Sequence, residues 1–239
     1  MYRELNAKLT TQTIEILHRR ISERFPDSGL SRVCRELLAV GEEAQAKSEW
    51  IGRPNLLLRL LVALVAIGAI LTLVYGLVGV DLRLNRTGLG DIIQVADAGI
   101  NSIVVIGAAF LFLVTVENRI KRHRALQALH ELRSLAHVID MHQLRKDPAA
   151  ILGTPTASSP KRELSQAQLS RYLDYCSEML SLTGKIAALY AQKFNDSNVV
   201  AAVNDIELLT TGLSRKIWQK LMLLEQASGA GDARSMNRG

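Results

Sequence analysis

Histidine is concentrated in one short stretch of the chain, a pattern that raises the possibility of metal or proton chemistry. Four of the five histidines lie within 119–148, and three of them, His123, His130 and His137 (the heptad histidines), are spaced seven residues apart. Seven helical residues rise about 10.5 Å, which is too far for two imidazoles of one chain to bind one metal ion. A second chain could bring equivalent histidines together, with His137 and Asp140 supplying half of a site. The spacing favours solvated or capping histidines, and no metal site is predicted.

The helix that carries these histidines has a second, apolar face. At 100° per residue the apolar side chains fall within about 60° of Leu132, whereas the heptad histidines lie about 140–180° away. We therefore predict one continuous helix from about Asp97 to Lys146, whose part 118–147 forms a cytoplasmic stalk. Its packing stripe consists of Ala125, Leu129, Leu132, Leu135 and Ile139.

Two long apolar segments precede the stalk. Leu60–Val80 and Ala98–Val116 contain no charged residue over 21 and 19 positions. As helices they would measure about 31 and 28 Å, close to the hydrocarbon thickness of a bilayer of about 30 Å. The sequence thus predicts an all-α integral membrane protein with two spans, at about 56–80 and 98–116.

The flanking charges predict the orientation of these spans. Eight Lys and Arg residues lie in the twenty positions before Leu60 and the twenty after Val116, against two in the connection 81–97. This asymmetry places both termini in the cytoplasm and the connection outside, in a multi-pass protein of the cell (inner) membrane. The net charge of +6 is explained by these orienting residues and by their contact with the anionic lipids of the bilayer. Nucleic acid is not an expected partner, because no aromatic residues interleave with the basic ones.

Small residues recur along both spans. The first carries Gly68, Thr72 and Gly76 at four-residue spacing, and the second carries Gly99 and Gly107. Small side chains allow helices to approach closely in a membrane. Two interpretations remain open: the ridges pack the two spans of one hairpin together, or one ridge packs the hairpin and another surface drives homo-oligomerisation.

The remaining segments are assigned by turn residues and apolar periodicity. Ser31 is predicted to cap the second N-terminal helix, and Ser159 with Pro160 to begin the helix after the linker. The domains are N-terminal cytoplasmic helices 1–53, the transmembrane hairpin 54–117, the stalk 118–147, a linker 148–160, an antiparallel helical hairpin with a coiled-coil-like seam 161–227, and a disordered tail 228–239.

Catalytic signatures are scarce in this sequence. It contains no phosphate-binding GxxxxGK[ST] loop, no GxGxxG and no GxSxG, and the SxxK of Ser158–Lys161 has no companion motif. The two uncharged segments contain no Asp, Glu, His or Lys, the residues that a proton-coupled carrier usually places inside the membrane. Cys34 and Cys176 have no metal-binding spacing and are expected to be buried free thiols. We predict no enzyme activity and no cofactor.

These features lead to two functional hypotheses. The first is a membrane-anchored helical scaffold or accessory subunit, in which the cytoplasmic helices pack together or bind a partner. The alternative is a homo-oligomeric two-transmembrane channel or membrane-disrupting effector gated by its cytoplasmic domain. The order of elements resembles the two-transmembrane effector domains of prokaryotic nucleotide-signalled defence systems, and that architectural resemblance implies the alternative.

Overall fold

A computed structural model describes residues 4–52, 56–81, 89–144, 146 and 164–236 of the chain. Within these residues the protein contains six helices and no strand, which confirms the all-α prediction. The helices are α1 (Ala7–Arg24), α2 (Gly29–Gly52), α3 (Leu56–Asp81), α4 (Leu89–Leu144), α5 (Gln166–Lys193) and α6 (Ser197–Met236).

The chain divides into two compact units. One, the bundle unit, combines Met1–Gly52 with Arg124–Gly239, and the other, the apolar unit, is Arg53–His123. Helix α4 contributes residues to both. The domain boundaries predicted within these units stay predictions.

The bundle unit is built around one core. Helix α1 packs on α2, α5 packs on α6, and both α1 and α2 contact α5. Gly41 permits part of this approach, because a Cβ there would lie 3.1 Å from Ile14 Cδ1 and 3.6 Å from Ile186 Cδ1. Apolar residues of all four helices and of the last part of α4 belong to the same buried cluster.

Local side-chain contacts fix the helix ends. After Pro26, Asp27 turns the chain with a φ of 52°. Ser28 then caps α2, since its Oγ accepts the Ser31 backbone N–H at 3.1 Å. The predicted cap Ser31 instead has its hydroxyl 2.8 Å from Ser22 Oγ, so the cap prediction was wrong by three residues.

Helix α5 begins with a capping box. Ser165 Oγ accepts the backbone N–H of Gln168, and Gln168 Oε1 accepts that of Ser165, which satisfies two terminal donors. The predicted cap pair, Ser159 and Pro160, lies outside the described residues, as does all of 147–163. The helix starts at Gln166 rather than near 161.

Two helices are longer than the sequence predicts. Helix α4 begins at Leu89, so residues 89–97 of the predicted connection 81–97 are helical, while 82–88 lie outside the described residues. Since 91–97 contain no Gly or Pro, nothing in them stops a helix. Helix α6 runs to Met236, where a disordered tail from 228 was predicted. Its two late glycines cost only about 1 kcal/mol each in a helix.

Most of the described side chains of the apolar unit are exposed. One helical segment of the described residues, Gly99–Leu144, is long and apolar enough to cross a membrane by length and composition, with a mean hydropathy of 2.3 in its most apolar window. Only 6% of that window is buried. In α3 the described side chains give a shorter apolar run, Arg59–Thr72. The two-span topology therefore stays a prediction.

Candidate functional site

The heptad histidines lie at the surface. His123, His130 and His137 are all exposed, as expected of the polar side of α4. The described residues contain no group of three or more His, Cys, Asp or Glu side chains arranged to bind a metal ion. Asp140, the proposed companion of His137, instead accepts a hydrogen bond from Gln143 Nε2.

His142, the fourth histidine of the stretch, has a different environment. Its Nδ1 lies 3.3 Å from the Tyr172 hydroxyl of α5, and its ring packs against the backbone of Gly29 on α2. This imidazole joins three helices of the bundle unit. Its position outside the seven-residue spacing is the sequence feature that sets it apart from the heptad histidines.

The predicted packing stripe of α4 lies inside the bundle unit. Four of its members are at most 2% exposed and Leu135 is half-buried against the same core. Because helices of its own chain cover the stripe, it offers no free surface to a partner. The four buried members are Ala125, Leu129, Leu132 and Ile139.

Polar side chains from two helices meet where α4 ends. Lys220 Nζ of α6 donates to the Gln143 carbonyl oxygen at 3.1 Å, which places a cation at the negative end of the α4 dipole. Gln143 is fully buried, and its Oε1 has no hydrogen-bond partner among the described residues. A buried amide oxygen without a donor costs about 1–3 kcal/mol. Sequence reasoning did not identify this cluster, since its residues are far apart in the chain.

Three of the predicted small packing residues, Gly68, Thr72 and Gly107, are exposed in the apolar unit. A Cβ added at Gly68 or Gly107 would meet no atom within 4 Å, and Thr72 is exposed, its hydroxyl donating to the Gly68 carbonyl at 2.7 Å. Gly99 is half-buried, and the side-chain environment of Gly76 lies outside the described residues. The predicted roles of these small residues in packing the hairpin, and of another surface in homo-oligomerisation, stay predictions.

The half-buried faces are formed mainly by other small residues. Among the described side chains the half-buried positions of α3 are Val62, Ala66 and Ala69, and those of α4 include Ser102, Ile106 and Ala109. Each set recurs every three or four residues, which is one face of a helix. The other faces are apolar and open, with Leu56 76%, Tyr75 84% and Phe112 72% exposed.

A charged cluster lies at one end of the apolar unit. Glu117 Oε1 is 2.8 Å from Lys121 Nζ, and its Oε2 is 3.9 Å from Arg59 Nε. The Glu117 side chain is only 11% exposed. Sequence reasoning missed this carboxylate, although its place directly after the apolar run and four residues before Lys121 would have indicated it.

The bundle unit also carries exposed apolar side chains. On α6, Leu208 is 72% exposed, Trp218 65% and Met222 41%. At the end of α2, the Trp50 ring lies 3.8 Å below the guanidinium carbon of Arg124. An open groove of about 580 Å³ runs between α1 and α5, with an apolar floor that includes Leu5, Leu9 and Leu182.

Both cysteines are buried free thiols within the bundle unit, as expected. Burial raises the pKa of Cys34 to about 12, with a smaller contribution from the negative charge of Glu178. Burial also raises the pKa of Cys176 to about 12, against the opposing charge of Lys220. Thiols with such pKa values are not nucleophiles at neutral pH.

Comparison with known proteins gives no further assignment. No protein-family model, no curated protein and no solved structure matches this chain.

Proposed function

We propose that this protein is a membrane-anchored helical scaffold or accessory subunit without catalytic activity. Helices α3 and the first part of α4 cross the cell (inner) membrane, and both termini lie in the cytoplasm. The cytoplasmic helices assemble with a second copy or with a partner protein. No cofactor or metal enters this function.

The observation that carries the proposal is the exposed apolar surface of α3 and α4. Burying apolar surface is favourable by about 25 cal/mol per Å², and soluble monomers seldom expose a contiguous apolar patch above a few hundred Å². A core helix of a soluble protein would be mostly buried, whereas only 6% of the most apolar window of α4 is buried. A lipid bilayer is the environment that covers such helices on all sides.

The polar groups in these segments support the same environment. The Thr72 hydroxyl donates to the Gly68 carbonyl, and the Thr115 hydroxyl donates to the Leu111 carbonyl at 2.8 Å. Inside a bilayer a hydroxyl must find its acceptor within the protein, and a threonine in a helix can use the carbonyl four residues earlier. These two hydroxyls therefore need no water.

Assembly is supported by the outer face of α6. Trp218 and Met222 are four residues apart, so their exposed side chains lie on one helical face. Arg215, three residues before Trp218, lies on the same face. Trp, Met and Arg are enriched in protein–protein interfaces. This face is the contact that we assign to the second copy or partner.

The homo-oligomeric channel stays the alternative. One two-helix unit cannot enclose a pore, so conduction would require several copies around an axis. The intrahelical hydrogen bonds of Thr72 and Thr115 leave these hydroxyls less suited to line a water-filled path.

Native mass spectrometry of the protein in a mild detergent or nanodisc tests the proposal. We expect a small homo-oligomer or a stable complex with a different protein, recovered only from the membrane fraction. Trp218→Ser with Met222→Ser should dissociate it, whereas the neighbouring Gln219→Ser should not. A closed ring of four or more identical chains would favour the channel, and a monomer that is soluble without detergent would contradict the proposal.

A further inference from the structure

The charged cluster of Arg59, Glu117 and Lys121 connects two helices at one end of the apolar unit. Glu117 follows Val116, the last residue of the apolar run of α4, and contacts Lys121 on its own helix at 2.8 Å. Arg59 belongs to α3, with leucines on both sides in the sequence, and its Nε lies 3.9 Å from the Glu117 carboxylate. The two side chains therefore place opposite charges at the same level of the two helices.

Each of these charges would be costly alone in a membrane. An Arg in the centre of a spanning helix costs about 2.5–3.5 kcal/mol on insertion scales, and less towards the interface. A buried carboxylate without a partner is similarly unfavourable. Lys121, four residues after Glu117, already supplies the carboxylate with a cation from its own helix. Arg59 differs from Glu117, because no cation or anion among the described residues of its own helix is paired with it in the same way and it lies at the start of the apolar run of α3. Among the described side chains that run is Arg59–Thr72, which is shorter than the apolar segment of α4.

We propose that Glu117 is the counter-ion of Arg59, so that this carboxylate of α4 favours the inserted state of α3. The two helices then insert and are retained as a pair. This inference rests on the proposed membrane function, in which both helices span the bilayer. It assigns Glu117 a positioning role: it lowers the cost of Arg59 at the membrane boundary and fixes the level at which α3 meets α4.

Protection of the connection between α3 and α4 from a labelling reagent measures the insertion of α3. The full-length chain carries Thr87→Cys and is assembled in closed, inside-out membrane vesicles, then treated with a membrane-impermeant maleimide. An inserted α3 places this cysteine in the vesicle lumen, where it is protected. The parent chain without Thr87→Cys gives the background from Cys34 and Cys176, which are buried.

Glu117→Gln should lower the ratio of protected to labelled protein roughly threefold to tenfold, because Arg59 loses its counter-ion. Arg59→Gln should remain protected, and Arg59→Gln combined with Glu117→Gln should regain protection, since the charge that Glu117 balances on α3 is then also removed. Lys121 loses its partner equally in Glu117→Gln and in the double variant, so the comparison isolates Arg59. Arg119→Gln is the matched control: this residue is exposed on the same turn of α4 and should behave as the parent.

The outcomes separate this inference from the proposed function. Labelling of Thr87→Cys in the otherwise unchanged chain would contradict the two-span arrangement itself. Protection of that chain together with equal protection of Glu117→Gln would overturn the counter-ion role alone. Failure of the double variant to regain protection would also overturn it, because the defect would then not arise from the charge of Arg59.

Discussion

At the scale of single residues, the contact between Gly29 and His142 shows how tightly the bundle unit is packed. A Cβ at Gly29 would lie 3.2 Å from His142 Nδ1 and 3.3 Å from Nε2, and would overlap Cε1. The ring must shift to admit a Cβ, and its 3.3 Å contact with the Tyr172 hydroxyl opposes that shift. The neighbouring imidazole therefore favours a glycine here.

Gly29→Ala should lower the free energy of unfolding by about 1–3 kcal/mol, the usual cost of overpacking. Chemical denaturation followed by circular dichroism measures the change. His142→Ala should remove most of the penalty in the double variant. The control is Gly212→Ala in α6, where a Cβ meets open space and where alanine should stabilise the helix by about 1 kcal/mol. Equal effects at Gly29 and Gly212 would contradict this account.

The two buried thiols lead to a second prediction. Cys34 and Cys176 are fully buried, and burial raises the pKa of each to about 12. Because the thiolate is the reactive form, neither should react with an aromatic disulfide reagent in the folded protein near neutral pH. Both should react at once in denaturant, and the released chromophore counts them. Rapid reaction of either thiol in the native protein would show that the core opens readily.

At the scale of elements, α4 combines two kinds of helix in one. Its residues up to Val116 have open apolar faces, whereas the stripe around Leu132 is buried in the bundle unit. The helix reaches 56 residues because no proline interrupts it and because each new residue adds one backbone hydrogen bond. The first part of α4 is exposed to the surroundings of the apolar unit, and the last part is a core helix of the bundle unit.

The capping box of α5 makes a prediction at the same scale. Ser165→Ala removes the acceptor of the Gln168 N–H and should cost about 1 kcal/mol of stability. Ser165→Asp keeps an acceptor and adds a charge that suits the helix N-terminus, so it should retain or exceed the original stability. Denaturation midpoints of the three proteins decide the matter. Equal denaturation midpoints for Ser165→Ala and Ser165→Asp would show that the cap contributes nothing to stability.

At the scale of the whole molecule, the bundle unit should fold without the apolar unit. Its two segments, Met1–Gly52 and Arg124–Gly239, meet at the contact between Trp50 and Arg124, whose guanidinium carbon lies 3.8 Å from the ring centre. A short glycine–serine linker can therefore replace Arg53–His123. The chimeric protein should be soluble without detergent and should unfold cooperatively with a helical spectrum. Aggregation, or a spectrum without cooperative melting, would show that the bundle depends on the apolar unit.

The sequence alone determined the helical class and the faces of the helices. Apolar periodicity around Leu132 reports burial directly, because a helix repeats its faces every 3.6 residues. The long uncharged runs Leu60–Val80 and Ala98–Val116 equally determined that most of α3 and the matching part of α4 would be apolar on all sides. The positions of the helix ends were harder to predict. Ser28, Ser31 and Ser165 can all cap a helix, and whether each one does so depends on which backbone N–H lies within reach of its hydroxyl.

Tertiary structure decided what could not be read from local spacing. The stripe of α4 could have served a partner, and only the packing of the other helices shows that it is covered by its own chain. Small residues at Gly68 and Gly107 permit close approach, yet the half-buried faces are formed by their neighbours. The contacts of Glu117 with Arg59 and of Lys220 with Gln143 join residues more than fifty positions apart. Such pairs are set by how helices lie against each other, a property that short-range periodicity does not contain.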